Sequence, residues 1–386
     1  VTTRLRAWAE RRRELFDDPA ADDGTVIASL ADVARANRFL GGVAAAVRRL
    51  DEFFRDVPRG SSLTLLDVGA GYGDIARAAR RRAARRGVRL RLLGLERHGA
   101  AARHARRDGD LAVLRGDARA LPLRRQSVDL ALCSQLLHHY RGADLVTIVG
   151  ELGRVARVGV VVADLRPSPV AAIGIWLASY PLSFHPVSRR DGVVSVLRGF
   201  TLGRLRRICA EAGFEADVRA HPGFRLTAAW MIRVERRLVR APLRRVFDCA
   251  ADVGRWPDWL AHYRRVRFLE RRPDGGLVEM AAWRRFGPLR YPTWWVSQMR
   301  IEAARPAVHY LHVRGVTRGM EVEWAFTAVA DATEVTITHR WGGPAWPLVG
   351  AAAASLVIGP LFIHAIAGRT LAGIARIAET TEGAGT

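Results

Sequence analysis

Few folds accommodate an apolar run that ends in an acid and then meets three glycines at every second position. Leu63, Leu65 and Leu66 lead into Asp67, and Gly69, Gly71 and Gly73 follow at once. From Ile75 to Arg80 the chain then holds good helix formers. The order predicts a buried strand, a tight glycine loop and a helix. Glycine is required where the backbone turns with positive φ and where a ligand must come close to the main chain. The first amides of the following helix lack intrahelical partners and are available to that ligand.

Three further segments repeat the strand-then-polar pattern. Leu90–Leu95 ends at Glu96 and Arg97. The run from Leu111 reaches Asp117 and Ala118, and the run from Val128 reaches Ser134, followed by His138 and His139. A fifth apolar run, Val158–Val162, ends at Asp164 and Arg166. Strands that alternate with helical stretches build a parallel sheet covered on both faces. Ligands of such sheets bind beyond the carboxyl ends of the strands. The acids and histidines above therefore belong to one edge.

The words Asp67-Val-Gly-Ala-Gly-Tyr-Gly73, Glu96, Gly116-Asp117-Ala118 and Ser134 resemble the class I S-adenosylmethionine (SAM) methyltransferases, closest to the small-molecule enzymes that include the quinone-ring methylases. The resemblance covers about residues 25–230. It implies SAM as cofactor, held by Asp67, Gly69, Gly71, Gly73, Glu96, Arg97, Asp117, Ala118 and Ser134. Glu96 would take the ribose hydroxyls and Asp117 the adenine amine. Asn37 and Arg38, before Gly41 and Gly42, either cap the cofactor pocket, as in proteins of this type, or belong to a plain helix–turn–helix packed onto the domain. The transferred methyl should point past the fourth strand, so His138 and His139 are the candidate bases, with His138 favoured. His185, Asp164 and Arg166 are weaker candidates. A phenol or enol gains from a base poised near neutral pH, whereas a strongly nucleophilic carbon needs none. O- and C-methylation both stay open. The apolar, aromatic insertion 167–200 predicts an apolar substrate.

After about residue 231 the pattern changes to a strand, short helices, alternating strands broken by turn signals, and a closing helix. The words Ala241-Pro242 to Val246-Phe247 and Asp252-Val253 to Trp256-Pro257 resemble the polyketide cyclase/aromatase branch of the START-like helix-grip fold, over about 232–380. The fold class expected is an α/β Rossmann-like domain with a mostly parallel seven-stranded sheet (1–230), then an α+β helix-grip domain with an antiparallel sheet and a long C-terminal helix (231–386). A cavity between that sheet and helix is expected to use Tyr263, Tyr291, Trp295, Tyr310, His312 and Trp324, with Arg284 and His309 as further polar groups.

Composition adds bounds. The net charge of +23 comes entirely from arginine, because the chain has no lysine. The arginine runs read as solvated helix faces, so no specific nucleic-acid partner is expected. Cys133, Cys209 and Cys249 show no metal-ligand spacing. No metal site is expected, and a reducing cytoplasmic compartment is the simplest account. The charged N-terminus predicts no signal peptide. The apolar stretch Leu348–Ala367 is long enough to span a bilayer, but Gly359-Pro360 would break it, and the second fold needs a helix there. Residues 345–370 are the candidate for peripheral membrane contact. The reading is SAM-dependent methylation of a small apolar or aromatic molecule (polyketide, phenol or quinone). The second domain would bind, and cyclise or aromatise, the intermediate. The alternative is a non-catalytic lipid- or quinone-binding second module that meets membranes.

Overall fold

The computed structural model describes residues 3–18, 20–55, 57–286, 289–315, 317–341 and 364–380. It divides into two compact units, 1–230 and 231–386.

The first unit opens with helix α1 (Thr3–Glu10), a 3-10 turn (Leu15–Asp17), and helices α2 (Asp23–Phe39) and α3 (Gly42–Phe54). Asp22 caps α2 by accepting the Thr25 amide at 2.8 Å. Strand and helix then alternate: β1 (Ser62–Val68), α4 (Asp74–Arg85), β2 (Arg89–Glu96), α5 (Gly99–Ala105), β3 (Ala112–Arg115), β4 (Val128–Ser134), α6 (Ala143–Val155) and β5 (Ala156–Leu165). The segment expected as a mixed insertion folds as two helices, α7 (Pro169–Ala178) and α8 (Pro186–Arg198). Helix α9 (Leu202–Glu211), capped by Thr201, leads to β6 (Asp217–His221) and β7 (Arg225–Val239). The 225–230 part of β7 belongs to this unit, and the sheet order is β3-β2-β1-β4-β5-β7-β6. β1 to β5 pair in parallel; β6 and β7 pair antiparallel. The central strands β4 and β5 are buried on both faces, which explains their unbroken apolar sequence. Leu50 and Phe54 of α3, Ile75 and Ala79 of α4, and Leu65, Leu130 and Val161 of the sheet make one core. Gly199 ends α8 where a Cβ would run into the Leu165 carbonyl oxygen. Gly199→Ala is therefore expected to cost about 1–3 kcal/mol, read as a lower urea midpoint with an unchanged m-value.

The second unit takes the 231–239 part of β7, then α10 (Leu243–Ala251), the single turn α11 (Trp256–Trp259), and strands β8 (Tyr263–Arg272), β9 (Gly275–Phe286), β10 (Leu289–Glu302), β11 (Ala307–Gly315), β12 (Glu321–Val329) and β13 (Ala332–Trp341). Each strand pairs antiparallel with the next, and β13 pairs with β7. Helix α12 (His364–Thr380) buries Leu371, Ile374, Ala375 and Ala378 in the same core as Val246, Phe247, Trp324 and Ile337. A sheet wrapped against one long helix is the helix-grip arrangement that the resemblance implied. The apolar stretch from Leu348 lies outside the described residues up to 363, and the Arg284 side chain lies outside them too. Among the described residues no helix is long and apolar enough to cross a membrane.

Candidate active site

In the first unit the strand ends surround a cavity of about 640 Å³, the size of a small-molecule site. One side is built by the glycine loop. Gly69, Gly71 and Gly73 all have positive φ (73°, 53° and 72°). Asp67, the acid before the loop, is buried and lines the cavity, and its Oδ1 has no partner among the described residues. Burial first, and the neighbouring carboxylates Asp74 and Glu96 second, push its pKa up to about 8. Glu96 Oε1 accepts the Gly71 amide at 2.5 Å. Burial raises Glu96 to about 7, against the pull of that hydrogen bond. Arg97, Ala118 and Ser134 also line the cavity.

Asp117 does not. Its carboxylate faces Arg119, which donates Nε at 3.0 Å and Nη2 at 2.7 Å. A bidentate arginine two residues away captures the acid that was expected to meet the adenine amine, and holds its pKa below the usual carboxylate range. Gly116 and Ala118, on either side, do line the space. Asn37 comes in from α2, donating to Asp74 at 3.2 Å and accepting from Gln135.

The other side of the cavity holds two histidine–carboxylate pairs. His138 Nδ1 meets Asp164 Oδ1 at 2.7 Å, and His139 Nδ1 meets Asp17 Oδ1 at 2.9 Å. The imidazole centroids are 4.4 Å apart. With Asp164 accepting, Nδ1 of His138 carries the proton and Nε2 is left as an acceptor. Burial disfavours the charged ring, but the Asp164 carboxylate outweighs it, so the pKa of His138 rises above its ordinary value.

Sequence reasoning missed several residues here. Glu14 and Asp17, from the 3-10 turn region, line the cavity and are held by the buried guanidinium of Arg198, at 2.8 Å and 3.0 Å. Ser195 donates to the second Glu14 oxygen. Arg225 is buried at the cavity wall; its Nε donates to the Leu40 carbonyl at 3.1 Å and its Nη1 has no partner among the described residues. Burial lowers its pKa to about 10. These contacts span up to 185 residues, so no local spacing announces them. Ligand atoms of Glu14, His138 and His139 lie within 4.8 Å of one another. Glu14 is already paired with Arg198, whose charge opposes a cation there, so the donor set works through hydrogen bonds. His185 and Arg166 stand apart from the cavity: His185 Nδ1 accepts the Val187 amide at 3.3 Å, and Arg166 lies over Phe224.

The second unit has a cavity of about 70 Å³, lined by Tyr263, Trp295, Tyr310, His312 and Trp324 and closed by Thr370 of α12. His312 stacks on Trp295 and meets Thr317 Oγ1 at 2.7 Å. The Tyr310 hydroxyl is buried without a hydrogen-bond partner among the described residues, and burial pushes its pKa well up. Tyr291 is 55% exposed and does not contribute. Alternation does put it on the face of Thr293 and Trp295, but the strand outruns the core at that end. His309 pairs with Glu302 at 3.3 Å, away from the cavity.

Residues 66–163 match the family model described as methyltransferase domain, and residues 239–358 match the one described as polyketide cyclase/dehydrase and lipid transport. Among solved structures the chain is similar to the Zhui aromatase/cyclase from Streptomyces sp. R1128, at 20% identity over 41% of this chain and 99% of that one, TM-score 0.35. It is similar to a SAM-dependent methyltransferase from Aquifex aeolicus, at 16% identity over 48% and 87%, TM-score 0.35. Human N-acetylserotonin methyltransferase aligns at 13% identity over 58% and 64%, TM-score 0.40. No curated protein matches the chain. The two family matches fall on the two units described above, and the chain is a fusion of a class I SAM-dependent methyltransferase-type domain with a START-like domain of the polyketide cyclase type.

Proposed function

We propose that residues 1–230 methylate an oxygen, or an enolisable carbon, of a small apolar or aromatic molecule of the polyketide, phenol or quinone kind, in the cytoplasm. The observation that carries this reading is His138, held by Asp164 behind it, lining the same cavity as the glycine loop and Asp67. The loop fits SAM: its glycines leave the backbone open, Asp67 Oδ1 is a buried acceptor without a donor among the described residues, and Glu96 sits at the end of the adjacent strand. Bound SAM supplies an activated methyl group. The chain's own part is then alignment, exclusion of water and removal of one proton. His138 Nε2 is the acceptor available for a substrate O–H, and Asp164 holds the ring in that tautomer. Apolar Ile175, Val196 and Phe184 at the far wall suit a flat or aliphatic substrate.

For residues 231–386 the proposal is binding of the same or a neighbouring intermediate, as a cyclase or as a lipid- or quinone-binding module. Fusion keeps a poorly soluble intermediate at high effective concentration. A cavity of about 70 Å³ among the described residues is far below that of a drug-sized ligand, which favours a binding module that must open over a catalytic chamber already formed.

Calorimetric titration with S-adenosylhomocysteine tests the first half. One-to-one binding is expected, weakened roughly 10–100-fold by Asp67→Ala or Glu96→Ala, because each removes a charge-capable acceptor. Asp67 is largely protonated at neutral pH in the free protein. A ligand that donates to it favours the ionised form, so binding at pH 7 should release protons and tighten as pH rises toward 8. Heats that do not vary with buffer ionisation enthalpy would show that the acids are already ionised in the free protein, unchanged affinity in both Asp67→Ala and Glu96→Ala would remove them from the site, and absent binding would remove the reading.

A further inference from the structure

We propose that α7 and α1 form a docking surface for an anionic phospholipid bilayer, at the wall of the first-unit cavity. This goes beyond the methylation reading and stands or falls separately from it. The only buried residue of α7 is Ala172. Val170, Ile173, Leu177 and Tyr180 recur at helical spacing along one face and are 69%, 60%, 56% and 49% exposed, with Trp176 beside them at 45%. Soluble surfaces rarely leave such a contiguous apolar patch open. Ala171, Gly174 and Ile175 line the cavity and Val170 borders both it and the patch, so α7 is a single-helix wall between the patch and the site.

Charge selects the occupant. Ala9 of α1 and Ala172 of α7 share one packing cluster against α8, so both helices are seated on α8. Helix α1 exposes Leu5 and Trp8. It and the following turn carry Arg4, Arg6, Arg11, Arg12 and Arg13 against Glu10 alone, and Glu10 pairs with Arg6 at 2.9 Å. Arg12 lies over Trp8, and Arg189 lies 4.4 Å over Tyr180. Tryptophan and tyrosine at the level of arginines is the composition that settles between headgroups and acyl chains. Anionic headgroups complement the arginines. This places the contact far in sequence from the 345–370 segment.

The test is co-sedimentation of the full chain with vesicles of phosphatidylcholine, with and without phosphatidylglycerol, at physiological salt. The triple variant Ile173→Ser, Trp176→Ser, Leu177→Ser leaves the net charge untouched, and its exposed positions should leave the melting temperature unchanged. Ile173→Asp serves as a second, single-site variant. Binding to the anionic vesicles is expected for the wild type, and binding at least about tenfold weaker for both variants. Equal binding of wild type and variants would show adsorption by charge alone and overturn the proposal. So would a wild type that binds no vesicle, or a dimer that the triple variant dissolves.

Discussion

His138→Ala should lower kcat by about 10² to 10⁴ while leaving S-adenosylhomocysteine affinity within about twofold. The side chain is buried, its Nδ1 is fixed by Asp164 at 2.7 Å, and its Nε2 is the acceptor left over. The glycine loop and Glu96, which carry cofactor binding in the proposed reading, are untouched by the change. The pH profile gives a second readout. Asp164 raises the pKa of His138, so the ring gives up its proton at a higher pH than an ordinary histidine. The active, neutral form accumulates only above the raised value. The acidic limb of kcat/KM should therefore lie above pH ~6.5 in the wild type. Asp164→Asn removes the anion that raised it, so the limb should move to lower pH even as the rate falls. Asp164 is a positioning residue, and a merely structural role would not move that limb. His139→Ala should cost less, because His139 is tied to Asp17 at the rim. Full activity in His138→Ala would leave the reaction without its base and favour a carbon nucleophile that needs none.

The parts of this site that sequence could show are those written locally. Strand ends are marked by the change from apolar residues to Asp67, Glu96, Ser134 and Asp164, and parallel topology sends all of them to one edge. Asn37 was legible by resemblance and does reach the glycine-loop helix through Asp74. His138 and Asp164 were both visible as strand-end residues, but their pairing was not, because nothing in either segment encodes the other. Asp117 shows the limit in the opposite direction. Its position was readable, yet the rotamer was decided by Arg119, a neighbour that no motif includes. Arg225 was hidden in a strand that read as a closing hairpin.

The second unit divides the same way. Period-two alternation groups Trp295, Tyr310, His312 and Trp324 onto strand faces without saying which face points inward; their burial does. It could not say where the core stops along the strand, which is why Tyr291 was included. Nor could alternation give the size of the cavity. That depends on how α12 seats Ile374 and Thr370 against the sheet, a matter of packing between segments far apart in sequence.

Arg198→Ala should destabilise the first unit by about 3–5 kcal/mol, seen as a lower urea midpoint. The guanidinium is buried with Glu14, the two side chains being 5% and 2% exposed. It also reaches Asp17 at 3.0 Å and the backbone carbonyls of Ala9 and Arg12. Truncation leaves Glu14 as an unpaired buried acid and frees the whole N-terminal turn. If the loss is that of one stranded partner, Glu14→Leu combined with Arg198→Met should recover most of it, because an apolar pair of similar volume avoids the desolvation of both charges. The same cluster predicts the acid side of stability. Burial alone would raise Asp17, but its hydrogen bonds from His139, the Glu14 amide and Arg198 hold it well below the carboxylate range. An acid depressed in the folded state stabilises above its unfolded pKa of ~3.9 and loses that contribution as pH falls through the folded value. Asp17→Asn should therefore flatten the stability profile below pH ~4 and leave its slope near neutrality alone. In the Arg198→Ala protein, KM for the methyl acceptor should rise more than kcat falls, since Glu14 and Asp17 wall the acceptor side and His138 keeps Asp164. A loss confined to kcat would instead place Arg198 in the proton path, through Glu14 and the histidine pair.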